Sequence, residues 1–317
     1  MSHEIEEVNG KYEIAYVGQT PWHGLGQNLT PDADIETWRV EAGLNWSAIE
    51  SPIFFQGKRA ELIEVPKRTA IIRDDINHPL GLVTNRYKIH QPNEILDFFK
   101  TLVETAGFTL EVAGAINKGK RIWALANVNK SACVLGDDEI KAYLLLSTSF
   151  DGTKATTAQF TSIRTVCKNT LNMADNEQTK SRVSITHGSK FDANRIRDKL
   201  GIIVDGFDGM MESYKRMADS QISTYFADET LNKLFPATVQ KGDLKTSRSY
   251  NRVMELFNGG AIGSNMQSAN GTKWGLLNAI TQYIDHERGH NIDTRLANAW
   301  FGQGERLKAD ALKLLDA

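Results

Sequence analysis

The sequence predicts an α+β protein, with an antiparallel sheet on a β-β-β-α core followed by a mostly helical C-terminal half. Three observations carry that reading. Strand-like runs and hairpin turns crowd residues 68–160. Apolar residues recur at helical spacing from Phe191 onward. No Pro/Ser-rich linker, low-complexity tract or internal repeat interrupts the chain. The change of character places a boundary in 176–189, giving a mixed domain over 1–176 and a helical region over 177–317.

Residues 1–60 read as short extended pieces and turns, including the aromatic turn Thr20-Pro21-Trp22-His23-Gly24-Leu25-Gly26. Residues 68–73 and 80–84 form an expected hairpin around 74–79. Pro92 opens a helix, because its fixed φ suits a first turn. Ile95, Leu96, Phe99, Leu102, Val103 and Ala106 give that helix one apolar face, and Gly107 ends it. Phe108, Leu110 and Val112 alternate as in a strand, and Asn117-Lys118-Gly119-Lys120 turns the chain into a strand over 121–128. A third strand over 140–150 meets Asp151-Gly152, a strong hairpin signal, and returns over 153–160. A helix is expected over about 162–174, with Ile163, Val166, Cys167 and Leu171 on one face and Arg164, Lys168 and Asn172 on another. A long amphipathic stretch follows over 191–217, then helices near 228–235, 247–258, 272–287, 293–300 and 304–316.

Composition narrows the classes. The chain has 317 residues, 41% hydrophobic and 24% charged, which suits a packed core. No apolar run approaches the roughly 18–20 residues of a membrane span. The acidic start, Met1-Ser2-His3-Glu4, lacks a signal-peptide pattern. Two cysteines, Cys133 and Cys167, do not make a disulfide framework. A cytoplasmic, non-membrane protein is expected. The net charge of −2 advertises no global polyanion field, but cations concentrate locally. Between Lys118 and Lys168 there are eight Lys/Arg against four Asp/Glu, enough for a local stripe.

Among catalytic patterns, His286-Glu287-Arg288-Gly289-His290 matches H-E-x-x-H, in which two histidines one helical turn apart bind zinc and the glutamate activates water. Glu305 is a conceivable third ligand. Against this, Gly289 weakens a helix by about 1 kcal/mol, and His290 sits where the helix should end. The pattern reads better as a polar helix terminus, so no metal and no cofactor are expected. His23 has no evident partner, and Cys167 reads as core. No phosphate-binding loop, dinucleotide fingerprint or nucleophile elbow occurs.

The most suggestive constellation is distributed. Lys118, Lys120 and Arg121 surround one β-turn, Lys154 follows the Asp151-Gly152 turn, and Arg164 and Lys168 repeat one helical turn apart. Trp123, Tyr143 and Phe160 interleave with them. Cations along a groove with aromatics between suit a single nucleic-acid strand; the plain alternative is that the aromatics are core and the cations a solvated face.

Four segments carry a family resemblance: Thr20–Gly26, Ser149-Phe150-Asp151-Gly152-Thr153, Arg164-Thr165-Val166-Cys167-Lys168-Asn169-Thr170-Leu171, and Gly271-Thr272-Lys273-Trp274-Gly275 with Asp285-His286. The chain resembles the phage/plasmid-like proteins of unknown function, a family without an established reaction. Its topology is also similar, more loosely, to the β-β-β-α core of single-strand annealing recombinases. That likeness implies a homo-oligomeric ring or filament holding single-stranded DNA in a basic groove formed by Lys118, Lys120, Arg121, Lys154, Arg164 and Lys168. The expected function is therefore non-enzymatic single-strand binding and annealing in phage or plasmid recombination. The alternatives are a zinc metallohydrolase and an interaction protein that antagonises a host factor.

Overall fold

A computed structural model of the chain describes residues 5, 7–8, 10–18, 24–167, 169–172, 182–193, 206–240, 243–245, 247–289 and 295–316. Among these, the N-terminal half is mainly strand and the C-terminal half mainly helix, as the sequence predicts. No helix among the described residues is long and apolar enough to cross a membrane.

The chain opens with a two-residue ladder, β1 (Glu7–Val8) with β2 (Lys11–Tyr12), then β3 (Ile14–Val17) and β4 (Gln27–Leu29). Helix α1 (Ile35–Glu41) starts at Asp34, whose side chain accepts from the Thr37 amide and so satisfies one orphan donor. A three-stranded sheet follows: β5 (Ala48–Gln56), β6 (Leu62–Arg73) and β7 (His78–Thr84), in that order. Helix α2 (Pro92–Ala106) has Pro92 in its first turn and a capping box joining Gln91 and Glu94; Gly107 closes it at φ 68°.

The main sheet is an antiparallel meander of β8 (Thr109–Ile116), β9 (Arg121–Cys133), β10 (Glu139–Ser149) and β11 (Thr156–Arg164). β3 and β4 extend it beyond β8. At the other edge, β12 (Thr170–Asn172) and β13 (Arg182–Ile185) pair with successive parts of β11. Alternation sorts the side chains. Ile122, Ala124, Ala126, Leu144, Leu146, Ala158 and Phe160 face a core shared with α2 and most of the C-terminal helices. Trp123, Leu125, Tyr143 and Leu145 face the other way, against Trp300.

One expected element is absent. Among the described residues of 162–174 there is no helix: β11 continues through Arg164, the chain turns at Thr165–Cys167, and Thr170–Asn172 pairs back onto Thr161–Ile163. Thr161, Ile163, Thr165, Val166 and Thr170 are β-branched, β11 pairs along β10, and its outer edge takes β12, so sheet pairing overrides the helical spacing of Ile163, Val166, Cys167 and Leu171. The aromatics expected to line a groove, Trp123, Tyr143 and Phe160, are buried core residues.

The helical half contains α3 (Gly206–Asp219), α4 (Thr224–Leu234), α5 (Arg248–Glu255), α6 (Lys273–Gln282), α7 (Arg295–Phe301) and α8 (Gln303–Asp316). α6 is buried along its whole length after Lys273 and centres the bundle. Its Thr272 cap accepts from the Gly275 amide, and a Cβ on Gly275 would lie 1.8 Å from the Ala269 carbonyl oxygen, so only glycine lets the preceding loop pack there.

Candidate nucleic-acid interface

Charge separates into two populations. Arg164 is one of the most deeply buried side chains in the protein. Its Nε donates to Asp138 Oδ1 at 2.6 Å and its Nη2 to Asp138 Oδ2 at 2.8 Å, a bidentate fork that suits guanidinium and carboxylate. Asp138 Oδ2 also accepts from Ser268 Oγ at 2.5 Å and from the Trp274 indole at 2.9 Å. The expectation that Arg164 points outward at a ligand is thus corrected: it faces inward because β11 carries it toward Asp138, and it ties the sheet to α6. Its supposed neighbour Lys168 lies outside the described residues, as does His23.

Lys308 behaves like Arg164. It is buried, donating to Asp285 Oδ1 at 2.7 Å and to the carbonyl and hydroxyl oxygens of Thr170 at 2.8 Å. Asp285 in turn accepts from the Thr170 amide and hydroxyl. The motif segments Arg164–Leu171 and Asp285-His286 are therefore joined by buried hydrogen bonds, which is a structural role.

The remaining sequence-predicted cations come together at one end of the main sheet. The register places Arg121 opposite Ser149, and the Phe150 amide donates to the Lys120 carbonyl at 2.8 Å. The β8–β9 turn and the β10–β11 turn are consequently side by side. Lys118 and Lys120 on the first and Lys154 on the second are exposed; Arg121 is half-buried over the Phe301 ring at 4.8 Å. The first turn depends on Asn117, Lys118 and Gly119 at positive φ, and a Cβ on Gly119 would meet Trp46 at 2.7 Å. Trp46 packs edge-on to Phe150 at 5.2 Å, which seats the three-stranded sheet against this same end.

Sequence reasoning missed three further exposed cations here: Arg86, Lys88 and Lys190. The Tyr87 hydroxyl donates to the Ser149 carbonyl at 2.6 Å, the Lys88 amide to the His187 carbonyl, and His90 Nε2 contacts the Ser189 carbonyl at 2.9 Å. These bonds bring 86–88 and 187–190 to the β10–β11 turn. The pairings cross 62–99 positions of sequence, so only the tight Asn-Arg-Tyr-Lys run after β7 offered a local signal. Asp151 is the acidic side chain of the β10–β11 turn, and it is occupied by the Thr153 amide and hydroxyl.

Beneath the cations lies a buried imidazole–hydroxyl cluster. His90 and His187 lie 4.4 Å apart between ring centroids, and Tyr87 stacks on His187 at 4.3 Å. His90 Nδ1 contacts Thr156 Oγ1 at 2.6 Å, Thr156 contacts Thr148 at 2.6 Å, and Thr148 reaches His187 Nε2 at 3.5 Å. With His90 Nε2 and His187 Nδ1 donating to carbonyls, three contacts need three protons and the two hydroxyls supply two. The longest, Thr148 to His187, is the one left without. Burial pushes both imidazoles down, His187 to about 4. The pair is neutral near pH 7 and both imidazoles are buried.

The H-E-x-x-H segment is arranged otherwise. The helix ends at Glu287, where the Arg288 amide bonds back to the Tyr283 carbonyl, and Gly289 has φ 117°. His286 Nε2 contacts the Cys167 carbonyl at 3.1 Å, and Glu287 is clasped by Arg252 at 2.6 and 3.0 Å. Glu305 pairs with Arg182. His290 lies outside the described residues, and among those residues no cluster of three metal-ligating side chains occurs.

No curated protein and no solved structure matches the chain. A family model does match, over residues 79–311, covering β7, α2, the main-sheet meander and most of the helical half. The chain therefore belongs to the family described as "Domain of unknown function (DUF932)".

Proposed function

We propose that this protein binds single-stranded DNA at the basic end of the main sheet, as a non-enzymatic homo-oligomeric annealing protein in the cytoplasm serving phage or plasmid recombination. One observation carries the reading: Lys118, Lys120, Lys154, Arg86, Lys88 and Lys190, from four separate chain segments, are exposed at one sheet end. Several exposed cations drawn together in this way attract a phosphate backbone, and association then releases counterions. Arg121 contributes at the margin. The site is revised relative to the sequence reading: Arg164 leaves it and Arg86, Lys88 and Lys190 enter. A surface of exposed cations over a buried, hydrogen-bonded layer suits annealing, because the strand backbone is held while base edges stay exposed for pairing.

The test is a salt titration of the full-length protein against a fluorescent oligonucleotide, single-stranded and duplex in parallel. The expected slope of log affinity on log salt is about −0.7 per phosphate contacted, or roughly −3 to −4 for five contacts on a single strand. Affinity for the single strand should exceed that for the duplex, and complementary strands should anneal faster with protein present. No binding at low salt would overturn the reading.

A further inference from the structure

The β5–β6 hairpin leaves the body as a two-stranded ribbon, in which no residue from Pro52 to Arg68 is buried. It rises from the basic end of the main sheet. Arg68 pairs with Thr84, the last residue of β7, and Arg86 and Lys88 follow directly. A Cβ on Gly81 of β7 would lie 2.3 Å from the Asp151 Cα, so β7 itself lies against the β10–β11 turn that carries Lys154. The ribbon displays two chemistries. Lys58, Arg59, Lys67 and Arg68 are exposed on it, against Glu61 and Glu64, so it is net positive on a chain of net charge −2. The Glu61 carboxylate also accepts from the Arg59 amide at 2.8 Å, at the tip. Large apolar side chains stand open as well: Phe54 is 50% exposed, Phe55 51%, Leu62 73% and Ile63 39%. The register pairs Phe55 with Ile63, Phe54 with Glu64 and Gln56 with Leu62. Phe55 and Ile63 therefore share one face, and Phe54 and Leu62 the other.

We infer that the ribbon is a stacking arm for the single strand held at the basic end: the strand passes around it, Phe54 and Phe55 each take the plane of a base, and the four cations hold phosphates. Geometry and charge select that occupant together. A flat, rigid partner covers one face of a ribbon, whereas a flexible polymer can cover both. Each nucleotide brings a phosphate for a cation and an apolar base plane for a ring, without regard to sequence. Ile63 lies directly across from Phe55, and Leu62 diagonally from Phe54, so each ring has an aliphatic neighbour that widens the surface beneath a base. Glu64, opposite Phe54, is an acceptor suited to an exocyclic base amine. The cations at the ribbon's base, Lys67 and Arg68, continue toward Arg86 and Lys88, so one strand can run from the sheet end onto the arm.

The inference rests on the proposed strand binding and adds a second contact to it. The experiment is fluorescence anisotropy on the full chain, on Phe54→Ser/Phe55→Ser and on Phe54→Tyr/Phe55→Tyr. Two labelled strands serve as probes: poly-thymidine, and an abasic strand of equal length that keeps the phosphates. Both positions are exposed, so the variants should keep the wild-type far-UV spectrum. The serine variant should bind poly-thymidine at least about 30-fold more weakly, with an unchanged salt slope because no charge is lost. The tyrosine variant keeps both rings and should bind within about twofold of wild type. On the abasic strand the three proteins should bind alike. A wild type that binds neither strand overturns this inference together with the proposed function. Wild-type affinity in the serine variant overturns the arm and leaves the basic end standing. A serine variant weakened equally on both strands assigns the rings to protein contacts, those with a second copy included, and overturns the arm.

Discussion

Arg164 ends β11 and Lys154, ten positions earlier, lies in the turn that leads into it, and they do opposite work. Arg164 is clamped by Asp138 inside the protein and joins the sheet to α6. Lys154 stands exposed at the sheet end, beside Lys118 and Lys120 across the neighbouring turn. A positive charge in a sequence carries no role of its own; the role follows from whether the fold supplies a carboxylate. Inside, desolvation makes the partner obligatory. Outside, water supports the charge and leaves it available to an external anion.

The largest expected effect probes the interior side of that contrast. Arg164→Ala strands Asp138 as a buried, uncompensated carboxylate and should cost about 3–5 kcal/mol. Chemical denaturation of the variant checks it, and a loss under 1 kcal/mol would break the distinction. Next comes pH. His187 is depressed to about 4 against a usual 6.5. The unfolded chain binds the proton first, so this contribution is complete above about pH 6.5 and is lost as pH falls toward 4. At about 1.4 kcal/mol per pH unit the loss is a few kcal/mol at most. His187→Asn should flatten the stability curve over that window, and an unchanged pH profile would deny the imidazole this role.

A smaller effect joins the two populations. Gly119→Ala forces a side chain into a turn at φ 88° and against Trp46. About 1–2 kcal/mol of stability should be lost, and strand affinity should fall because Lys118 and Lys120 move. A loss of stability with unaltered affinity would detach this turn from the binding surface. The smallest effect on stability belongs to the exposed lysines, where each charge reversal should change unfolding by under about 0.5 kcal/mol.

Much of the architecture was legible where signals are local. Pro92 and Gly107 bracket α2, Asp151-Gly152 marks a real hairpin, and the C-terminal helices fall near their expected positions. The segment after Phe160 was misread because Ile163, Val166, Cys167 and Leu171 have helical spacing, while Ile163 is held by pairing with β10 and β12, Leu171 lies in β12 against β11, and Val166 and Cys167 lie in the turn between, a long-range arrangement that spacing does not encode. The candidate site was half legible for the same reason. Lys118, Lys120 and Lys154 sit on recognisable turns. Arg86, Lys88 and Lys190 reach the site only through long-range bonds to Ser149, His187 and Ser189, and Arg164 is claimed by Asp138 and Trp274, which come from other elements.

The measurement that bears most directly on the division between interior and exposed cations is the oligonucleotide affinity of Lys118→Glu/Lys120→Glu/Lys154→Glu, on protein whose melting curve matches wild type. The account predicts a loss of at least 100-fold at low salt, with the salt slope reduced by about two units. Unchanged affinity and slope in that folded variant would contradict it.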